Sequence, residues 1–432
     1  MKFPGRRNTK HYFPVSEKDR STLLFGDMSN SEVYIVGIDQ LLVDIEIEVS
    51  DEFLETNKFP KGQSFIIEDE LADKIYSEYK KENKITGEYP GGAIGNTLHN
   101  YSVLSDVSSY ALGAIKRQIE VGDYAFKYLS KTSGLVDMSY LQPTEKPMGR
   151  ALCFITPDLE RTFAISKGCM NDLSEEYIPE HIIAKSSALL ITAFSLRSKN
   201  EPIYNATIKA CRIAKENKVP VVMSLGTSDL IESDKEFFRS FILENVTALA
   251  MNQQEAQALT GEDDPLKATE EILELCDLAL VTVGKRGLYL GAFTDDEFKR
   301  QTKEPLVTKS IVSYNEYEYS RGMRRSDCKK PVKVYSHINP FKGGPSLIKN
   351  TNGAGDAALS ALLHDISANC YHKDVVPNSP KHDTTYLTYS SISQISKYAN
   401  RVSFEVLNQN SPRLLKGLPE KEDSLEEGYW SK

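Results

Sequence analysis

Short apolar segments recur along this chain, and amphipathic stretches of helical length lie between them. The apolar segments are rich in β-branched residues, as in strands that are buried on both faces of a parallel sheet. They occupy residues 33–38, 187–192, 219–225, 246–251 and 278–283. Residues 202–216 and 234–244 carry apolar side chains at helical spacing. This alternation predicts an α/β fold with a doubly wound, mostly parallel sheet flanked by helices.

Two other stretches alternate apolar and polar residues, which is typical of strands with one face in solvent. They are residues 44–49 and residues 151–165, and the second stretch predicts a hairpin that turns at Pro157-Asp158. Such strands predict a small second sheet beside the main one. We expect it to form a discontinuous lid from about residues 44–68 and 148–171.

The rest of the chain suggests a single domain over residues 1–432. Residues 295–345 are rich in charge and in tyrosine, and we predict an insertion with partial structure there. Residues 411–432 are polar, which predicts an extended or frayed C-terminal tail.

Composition narrows the classes of function. The chain of 432 residues has 52 basic and 61 acidic residues, a formal net charge of −9, which argues against a general electrostatic hold on nucleic acid or anionic membrane. The six cysteines lie far apart and the seven histidines lack metal-binding spacing, so neither a disulfide framework nor a zinc site is predicted. Because the basic N-terminal segment has no apolar core and no run approaches a membrane span, we expect a cytoplasmic protein.

The segment KNTNGAGDAALSALL, residues 349–363, is a polar glycine-containing loop that runs into an apolar helix. Gly353, Ala354 and Gly355 have little or no side chain, so their N–H groups can approach an anion, helped by the helix dipole. Such a cradle suits the charge that builds on a phosphoryl group during transfer. Asp356 could accept a proton from an attacking hydroxyl. The alternative is an ordinary helix N-cap.

NTNGAGD resembles the D-T-x-G-A-G-D motif of the ribokinase-like (PfkB) family of carbohydrate and nucleoside kinases. The resemblance implies that the amides of residues 353–355 form an anion hole and that Asp356 is the catalytic base. Asn350 stands where the family usually has an Asp that helps to form a monovalent-cation site, so potassium activation is left open. Further motifs between residues 33 and 407 follow in the order that the family requires.

Two of these motifs would bind the acceptor. GGAIGN, residues 91–96, is similar to the family's G-G-x-x-x-N motif, although a helix-starting glycine turn would also explain it. The resemblance assigns nucleoside contacts to Gly92, Ala93, Gly95 and Asn96. VGIDQLLVDIEIEV is similar to the stretch in which adenosine kinases grip the ribose 2′- and 3′-hydroxyls with an Asp. That match implies Asp44, and Asp39 at the end of the first strand is the alternative.

Three other motifs would bind ATP and magnesium. AMNQQEAQALTG contains N-x-x-E, which in the family organises magnesium-bound water, and it implies Asn252 and Glu255; two solvated residues on one helix face are the alternative. VTVGKRGLYL resembles the family's T-x-G-x-x-G turn beside the nucleotide. The helix SKYANRVSFEV stands where the family contacts adenine, although such a helix needs no ligand to be explained. The resemblance assigns ATP contacts to Thr282, Gly284, Gly287, Asn352 and Asn400.

The acceptor is indicated by other segments. MKFPG…KHYFPV, GGAIGNTLHNYSVL and NQNSPRLLKGLPEKEDSLEE resemble the branch of the family that acts on 6-oxopurine nucleosides. A 6-oxopurine has an acceptor at O6 and a donor at N1, so its pocket needs a donor near O6. Arg197, which follows the apolar stretch SALLITAFSL, is a candidate, and a surface arginine before a polar turn explains it equally well. Gln40 is the other candidate.

The resemblance therefore implies ATP- and Mg²⁺-dependent 5′-phosphorylation of inosine and guanosine to IMP and GMP. The alternatives are an adenosine or sugar kinase of the same fold and a non-catalytic nucleotide sensor, which would not need Asp356. A Rossmann dehydrogenase lacks support because no G-x-G-x-x-G follows the first strand. The expected partners are a purine nucleoside and ATP, without nucleic acid or membrane. The oligomeric state is left open, with a homodimer among the options.

Overall fold

A computed structural model of the chain describes residues 33–158, 160–302, 309–340, 348–349, 351–415 and 417–418. The strands are β1 Ile35–Ile38, β2 Leu42–Glu48, β3 Ser64–Ile67, β4 Ile85–Pro90, β5 Ser109–Leu112, β6 Ala114–Lys116, β7 Val136–Asp137, β8 Gln142–Thr144, β9 Gly149–Ile155, β10 Arg161–Ser166, β11 Ala188–Thr192, β12 Val221–Ser224, β13 Ala248–Asn252, β14 Leu278–Thr282, β15 Leu288–Asp295 and β16 Pro331–Ile338. The α-helices are α1 Asp51–Thr56, α2 Asp69–Lys81, α3 Ala93–Ser105, α4 Tyr124–Ser130, α5 Glu180–Ala184, α6 Pro202–Glu216, α7 Ser228–Ser233, α8 Lys235–Asn245, α9 Gln253–Thr260, α10 Pro265–Ile272, α11 Ala354–Val375 and α12 Ile392–Leu407.

The main sheet has the strand order β16-β15-β14-β13-β12-β11-β1-β5-β7. Strands β7 through β14 in this order are parallel, and β15 and β16 are antiparallel to their neighbours. The chain winds from the central β1 toward β7 and then, from β11, toward β16. The carboxyl ends of β1 and β11 therefore meet at the point where the winding direction reverses, and crevices for ligands form at such points. The predicted doubly wound, mostly parallel sheet is confirmed.

Helices cover both faces of this sheet because successive strand side chains point to opposite sides. Val36, Leu189 and Met223 face a core that includes α6 and α8. Ile35 and Leu190 face the opposite core, which includes α3, α11 and α12. The five predicted strands appear as β1, β11, β12, β13 and β14, and the two predicted helices appear as α6 and α8.

A second sheet has the order β3-β10-β9-β2-β4. Four of its strands come from the two segments predicted for the lid, and β4 is a fifth strand that the pattern did not indicate. Strands β9 and β10 form the predicted antiparallel hairpin. Along β2, Val43, Ile45 and Ile47 are buried in a core shared with α1, α2 and α4. Asp44 and Glu46 therefore lie on the opposite face of the sheet.

The two segments predicted as an insertion and a tail both contain packed residues. Part of the predicted insertion 295–345 is β16, an edge strand of the main sheet whose sequence PVKVYSHI alternates polar and apolar residues. The predicted tail begins with packed residues, since Arg413 is 2%, Leu414 3% and Leu418 6% exposed. Residues 303–308, 341–345, 416 and 419–432 of these segments lie outside the described residues. No helix in the described part of the chain is long and apolar enough to cross a membrane.

Candidate active site

Helix α11 begins at a glycine turn that gives its first N–H groups no side-chain cap. Gly353 is the N-cap residue, with φ of 78°. Ala357 N–H donates to Gly353 O at 2.8 Å, so the N–H groups of residues 354–356 precede the first intrahelical bond. A methyl group built on Gly355 would meet no heavy atom of the described residues within 4 Å. The open space and the lack of an intrahelical partner for these N–H groups make this turn suitable for an anion.

Asp356 lies in the first turn of α11 and is partly buried. Its Oδ2 accepts a hydrogen bond of 3.2 Å from Asn96 Nδ2. Burial raises the pKa of Asp356 to about 7; the Asn96 hydrogen bond opposes this shift, and the charges of Asp39 and Asp44 add to it. A carboxylate with a pKa near neutrality can accept a proton from a hydroxyl and release it again at neutral pH.

Helix α3 also begins at a glycine turn, but Asp39 caps it from the end of β1. Asp39 Oδ2 accepts from Gly95 N–H at 2.9 Å. A methyl group on the N-cap residue Gly92, whose φ is 88°, would lie 2.4 Å from the same oxygen, so a residue with a side chain would clash there. Asp39 is 1% exposed, and burial raises its pKa to about 6. Ala93 is the first residue of α3. Asp39 is therefore engaged inside the protein.

Asp44 borders the same cluster from the second sheet. It is partly buried, and a methyl group on Gly91 would lie 2.7 Å from its Oδ2. Burial raises the pKa of Asp44 to about 7, and the charge of Arg413 opposes this shift. Of the two carboxylates that the sequence offered as a ribose clamp, Asp44 is the more exposed.

Arg413 joins these groups, although the sequence analysis gave it no role. Its Nε donates to Asn96 Oδ1 at 2.9 Å, and its Nη1 donates to Thr132 Oγ1 at 2.6 Å. Its positive charge opposes the rise that burial causes in the pKa of both Asp39 and Asp44. The signal for it in the sequence was an arginine inside NQNSPRLL, at the start of a stretch predicted to be a tail.

The turn between β14 and β15 carries the residues predicted to lie beside the nucleotide. Thr282 Oγ1 donates to Met251 O at 3.4 Å. Gly287 has φ of 88°, and a methyl group there would lie 1.9 Å from Ile338 O, so close packing against β16 explains this glycine. A methyl group on Gly284 would meet no heavy atom of the described residues within 4 Å. Gly284 is thus the glycine of this turn that a ligand could approach.

Helix α12 lies against the glycine turn of α11, since Ser403 Oγ donates to Ala354 O at 2.8 Å. On the same helix, Asn400 Nδ2 donates to Asn339 O at 3.2 Å and so holds the end of β16. Asn352 directly precedes Gly353 in the turn and is partly buried. Asn350, the residue on which potassium activation depends, lies outside the described residues.

Asn252 and Glu255 form a capping box at the start of α9. Asn252 Oδ1 accepts from Glu255 N–H at 2.9 Å, and the Glu255 carboxylate accepts from Asn252 N–H at 3.0 Å and from Asn252 Nδ2 at 2.6 Å. Burial raises the pKa of Glu255 to about 7. Among the described residues, no group of three or more His, Cys, Asp and Glu side chains could hold a metal ion. Since each side chain is already paired with the other, this pair fits Mg²⁺ through water better than by direct ligation.

Gln40 and Arg197 line one cleft at the carboxyl ends of β1 and β11, together with Asn171 and Phe194. Gln40 Nε2 donates to Asn171 Oδ1 and, at 3.5 Å, to Phe194 O. Arg197 is exposed, and its guanidinium lies 5.1 Å from the centre of the Phe194 ring. The structure thus brings the two candidates for base recognition to one cleft, and it brings Asp39, Asp44, Asn96 and Asp356 into one cluster.

Comparisons with known proteins agree with this architecture. The model of the pfkB family of carbohydrate kinases matches residues 65–307, which is more than half of the chain. Guanosine-inosine kinase of Escherichia coli (strain K12) is 53% identical over 434 residues, which cover 100% of this chain and 100% of that protein.

Solved structures with similar folds include kinases with different acceptors. An adenosine kinase from Sinorhizobium meliloti has a TM-score of 0.65 at 20% identity, covering 89% of this chain and 97% of that chain. A probable sugar kinase from Rhizobium etli CFN 42 has a TM-score of 0.66 at 18% identity, covering 89% and 96%. These likenesses confirm the predicted ribokinase-like fold. From the family match and the full-length similarity, the chain belongs to the pfkB family of carbohydrate kinases.

Proposed function

We propose that this protein transfers the γ-phosphoryl group of ATP to the 5′-hydroxyl of a purine nucleoside, converting inosine to IMP and guanosine to GMP. The observation that carries the proposal is the pairing of an accessible carboxylate, Asp356, with an uncapped helix N-terminus that opens on free space. The similarity to a guanosine-inosine kinase over the whole chain supports the choice of acceptor. We also propose a cytoplasmic location, because ATP and nucleosides occur together there.

In the proposed reaction Asp356 takes the proton of the 5′-hydroxyl as that oxygen attacks the γ-phosphorus. The bond from the γ-phosphorus to the leaving oxygen breaks, and ADP departs. The N–H groups of Gly353, Ala354 and Gly355 would stabilise the charge on the transferring group, because the fold holds them in place before the reaction and they need no reorganisation. A pKa of about 7 lets Asp356 be ionised before transfer and protonated after it.

ATP would bind beside the β14–β15 turn and helix α12. We assign its contacts to Thr282, Gly284, Gly287, Asn352 and Asn400. Asn252 and Glu255 would hold Mg²⁺ through water. The ion supplies positive charge beside the phosphate oxygens when it is bound.

The nucleoside would lie between the main sheet and the second sheet. Asp44 would accept from both ribose hydroxyls, since a carboxylate has lone pairs for two donors. Arg197 would donate to O6, and Gln40 Oε1 would accept from N1–H because its Nε2 already donates to protein oxygens. The second sheet would act as a lid that excludes water, which competes with the 5′-hydroxyl as acceptor.

The test is ADP release with inosine, guanosine, adenosine, ribose and fructose 6-phosphate, with the product identified by chromatography. We expect inosine and guanosine to give the highest kcat/KM and to yield 5′-monophosphates. Higher kcat/KM with adenosine or a sugar would assign another acceptor. Absence of ADP release with all five compounds would make the protein a nucleotide sensor.

Arg197→Ala tests the assignment of the base pocket. Losing a charged donor to a buried acceptor should lower kcat/KM for inosine and guanosine roughly tenfold to a hundredfold. Adenosine has an amino group in place of O6, so its kcat/KM should not fall. A uniform drop for all three nucleosides would assign Arg197 to folding or phosphate binding, and no change would leave it a surface residue.

A further inference from the structure

The chain that follows α12 packs between α3 and the glycine turn of α11, and we call residues 409–415 the C-terminal strap. Leu414 N–H donates to Asn100 Oδ1 at 2.7 Å, and Asn100 Nδ2 donates to Pro412 O at 3.3 Å. His99 Nε2 lies 2.9 Å from Leu414 O, while Ser133 N–H donates to His99 Nδ1 at 3.0 Å. Burial lowers the pKa of His99 to about 4, so a neutral ring donates to the strap. These bonds fix the strap along α3.

The strap carries Arg413 into the interior, where its guanidinium makes several contacts at once. Besides its bonds to Asn96 Oδ1 and Thr132 Oγ1, its Nη2 donates to Gly91 O at 3.4 Å. Its Cζ lies 4.8 Å from the centre of the Tyr128 ring. Arg413 is 2% exposed. A planar fork with this many contacts has a fixed position and orientation.

This fork determines which way the Asn96 amide points. Because Arg413 Nε–H is a donor, it holds the amide oxygen of Asn96, and the amide Nδ2 must then face Asp356. A flipped amide would put its oxygen against the Asp356 carboxylate and its N–H groups against the guanidinium. Arg413 therefore keeps Asn96 in the orientation that donates to Asp356.

The strap also contacts the glycine turn at the start of α11. A methyl group on Gly353 would lie 2.6 Å from Pro412 Cβ and 2.8 Å from Pro412 O. Residue 412 thus packs directly against the N-cap of α11, next to the residue that orients Asn96. The strap supports the predicted anion hole and the predicted base from one side.

Titratable groups from several elements face Arg413. Asp39 follows β1 and Asp44 lies in β2, and the charge of Arg413 lowers the pKa of each. Tyr128 of α4 and His99 of α3 face it as well, and the Arg413 charge lowers the pKa of both, against the larger effect of burial on Tyr128. The charges of Asp39, Asp44 and, from α9, Glu255 in turn raise the pKa of Asp356. Arg413 is the cation that acts on both Asp39 and Asp44, and the charge of Arg161 from β10 also lowers the pKa of Asp44.

We propose that Arg413 is a positioning residue for phosphoryl transfer, which acts by orienting Asn96 toward Asp356 and by seating the strap against Gly353. The proposal rests on the proposed function. It predicts that Arg413 affects turnover and its pH dependence more than it affects nucleoside affinity, because Arg413 acts on the base through Asn96.

The test compares Arg413→Met and Arg413→Lys with Arg321→Met as a matched control. Arg321 is also buried, at 9% exposure, and makes three hydrogen bonds, to Thr388 O, Lys381 O and Asn369 Oδ1. Each variant is measured for thermal unfolding, for KM and for kcat against pH with inosine and ATP. Arg413→Lys keeps the charge but loses the fork, so it separates the two contributions.

We expect Arg413→Met to lower kcat at pH 7 roughly tenfold to a hundredfold with a small change in KM. Its acid limb of kcat should move to higher pH, because the hydrogen bond from the oriented Asn96 lowers the pKa of Asp356 and would be lost. Arg413→Lys should lose turnover with a smaller move of the limb. Arg321→Met should lose thermal stability and keep the wild-type pH profile.

The proposal is overturned if the Arg413 variants lose only thermal stability and keep the wild-type kcat and pH profile, as the control should. Failure of both Arg413 variants to fold would assign the arginine to stability alone and would also overturn it. An inactive wild type would instead count against the proposed function, so the two failures are distinguishable.

Discussion

Helices α9 and α11 both begin with residues that we predict to act near the phosphates of ATP. The two helices differ in whether a side chain caps the N–H groups of the first turn. At α9, Asn252 and Glu255 bind each other's N–H groups in a capping box. At α11 the N-cap is Gly353, which has no side chain to cap the helix. Helix α9 therefore has a side-chain cap of its own at its N-terminus, whereas the N-cap residue of α11 supplies none.

The carboxyl groups of these two helices have similar pKa values and different access. Burial raises the pKa of both Glu255 and Asp356 to about 7. Glu255 is 5% exposed and faces Asn252 of its own helix start. Asp356 is only partly buried and accepts from Asn96, which belongs to another helix. A raised pKa therefore does not by itself identify a catalytic base, because a base must also be accessible to the group that gives up the proton.

Helix α3 stands between these cases. Its N-cap is a glycine, as in α11, yet Asp39 supplies a cap from the end of β1. Asp39 therefore caps a helix, as Asn252 does, and Asp44 is partly exposed, as Asp356 is.

The largest expected effect is at the open terminus. Asp356→Asn keeps the size of the side chain but cannot take the proton, so kcat should fall roughly 10²- to 10⁴-fold while nucleoside binding stays largely intact. In the wild type, kcat should fall as the pH drops below about 7, because the ionised carboxylate is the form that accepts the proton. The variant should lack this acid limb. Near wild-type turnover would remove Asp356 from the mechanism and would end the contrast with Glu255.

The second effect separates the two candidate clamps. Asp44→Ala should weaken nucleoside binding by about 2–4 kcal/mol, because two charge-assisted hydrogen bonds are lost. It should also abolish discrimination between inosine and 2′-deoxyinosine. Asp39→Asn, the control, keeps an oxygen for Gly95 N–H and should preserve that discrimination. If Asp39→Asn erased the preference and Asp44→Ala did not, the clamp would be Asp39.

The third prediction compares Gly355, which lies beside open space, with Gly353, which packs against Pro412. Gly355→Ala should lower kcat at least about tenfold, since its methyl group enters the open space where the phosphoryl group would approach the N–H groups. Its thermal stability should stay equal or rise, because alanine favours a helix over glycine. Gly353→Ala should lose stability as well as activity, because the added methyl group would meet Pro412. Equal activity of Gly355→Ala and wild type would place the anion elsewhere.

The smallest effect is at the closed terminus. Asn252→Ala removes the cap of α9 and should lower the free energy of unfolding by about 1 kcal/mol. If Asn252 also organises water around Mg²⁺, the Mg²⁺ concentration that gives half-maximal activity should rise in this variant. Asn252→Ser keeps a capping oxygen without placing a second carboxylate beside Glu255, and it is the control for the loss of stability. An unchanged Mg²⁺ requirement would leave α9 with a structural role alone.

The sequence by itself indicated five of the nine strands described in the main sheet, and the order of the motifs. Five apolar segments and two amphipathic stretches became the expected strands and helices, because burial on both faces of a parallel strand and on one face of a helix leaves a local pattern. The glycine turn before Asp356 could also be found, since a residue with positive φ at a helix start requires glycine or a rare substitute. These features depend on residues close together in the chain.

Only the tertiary structure decided which polar residues contact each other. Asn252 and Glu255 were expected to face magnesium or solvent, and the structure pairs them with each other. Asp39 and Asp44 could not be separated until the position of α3 showed which one is engaged. Arg413 reaches Asn96 across 317 positions of sequence. Hydrogen bonds between distant segments leave no periodic pattern in the chain, because their partners are chosen by the packing of whole elements and not by their neighbours in sequence.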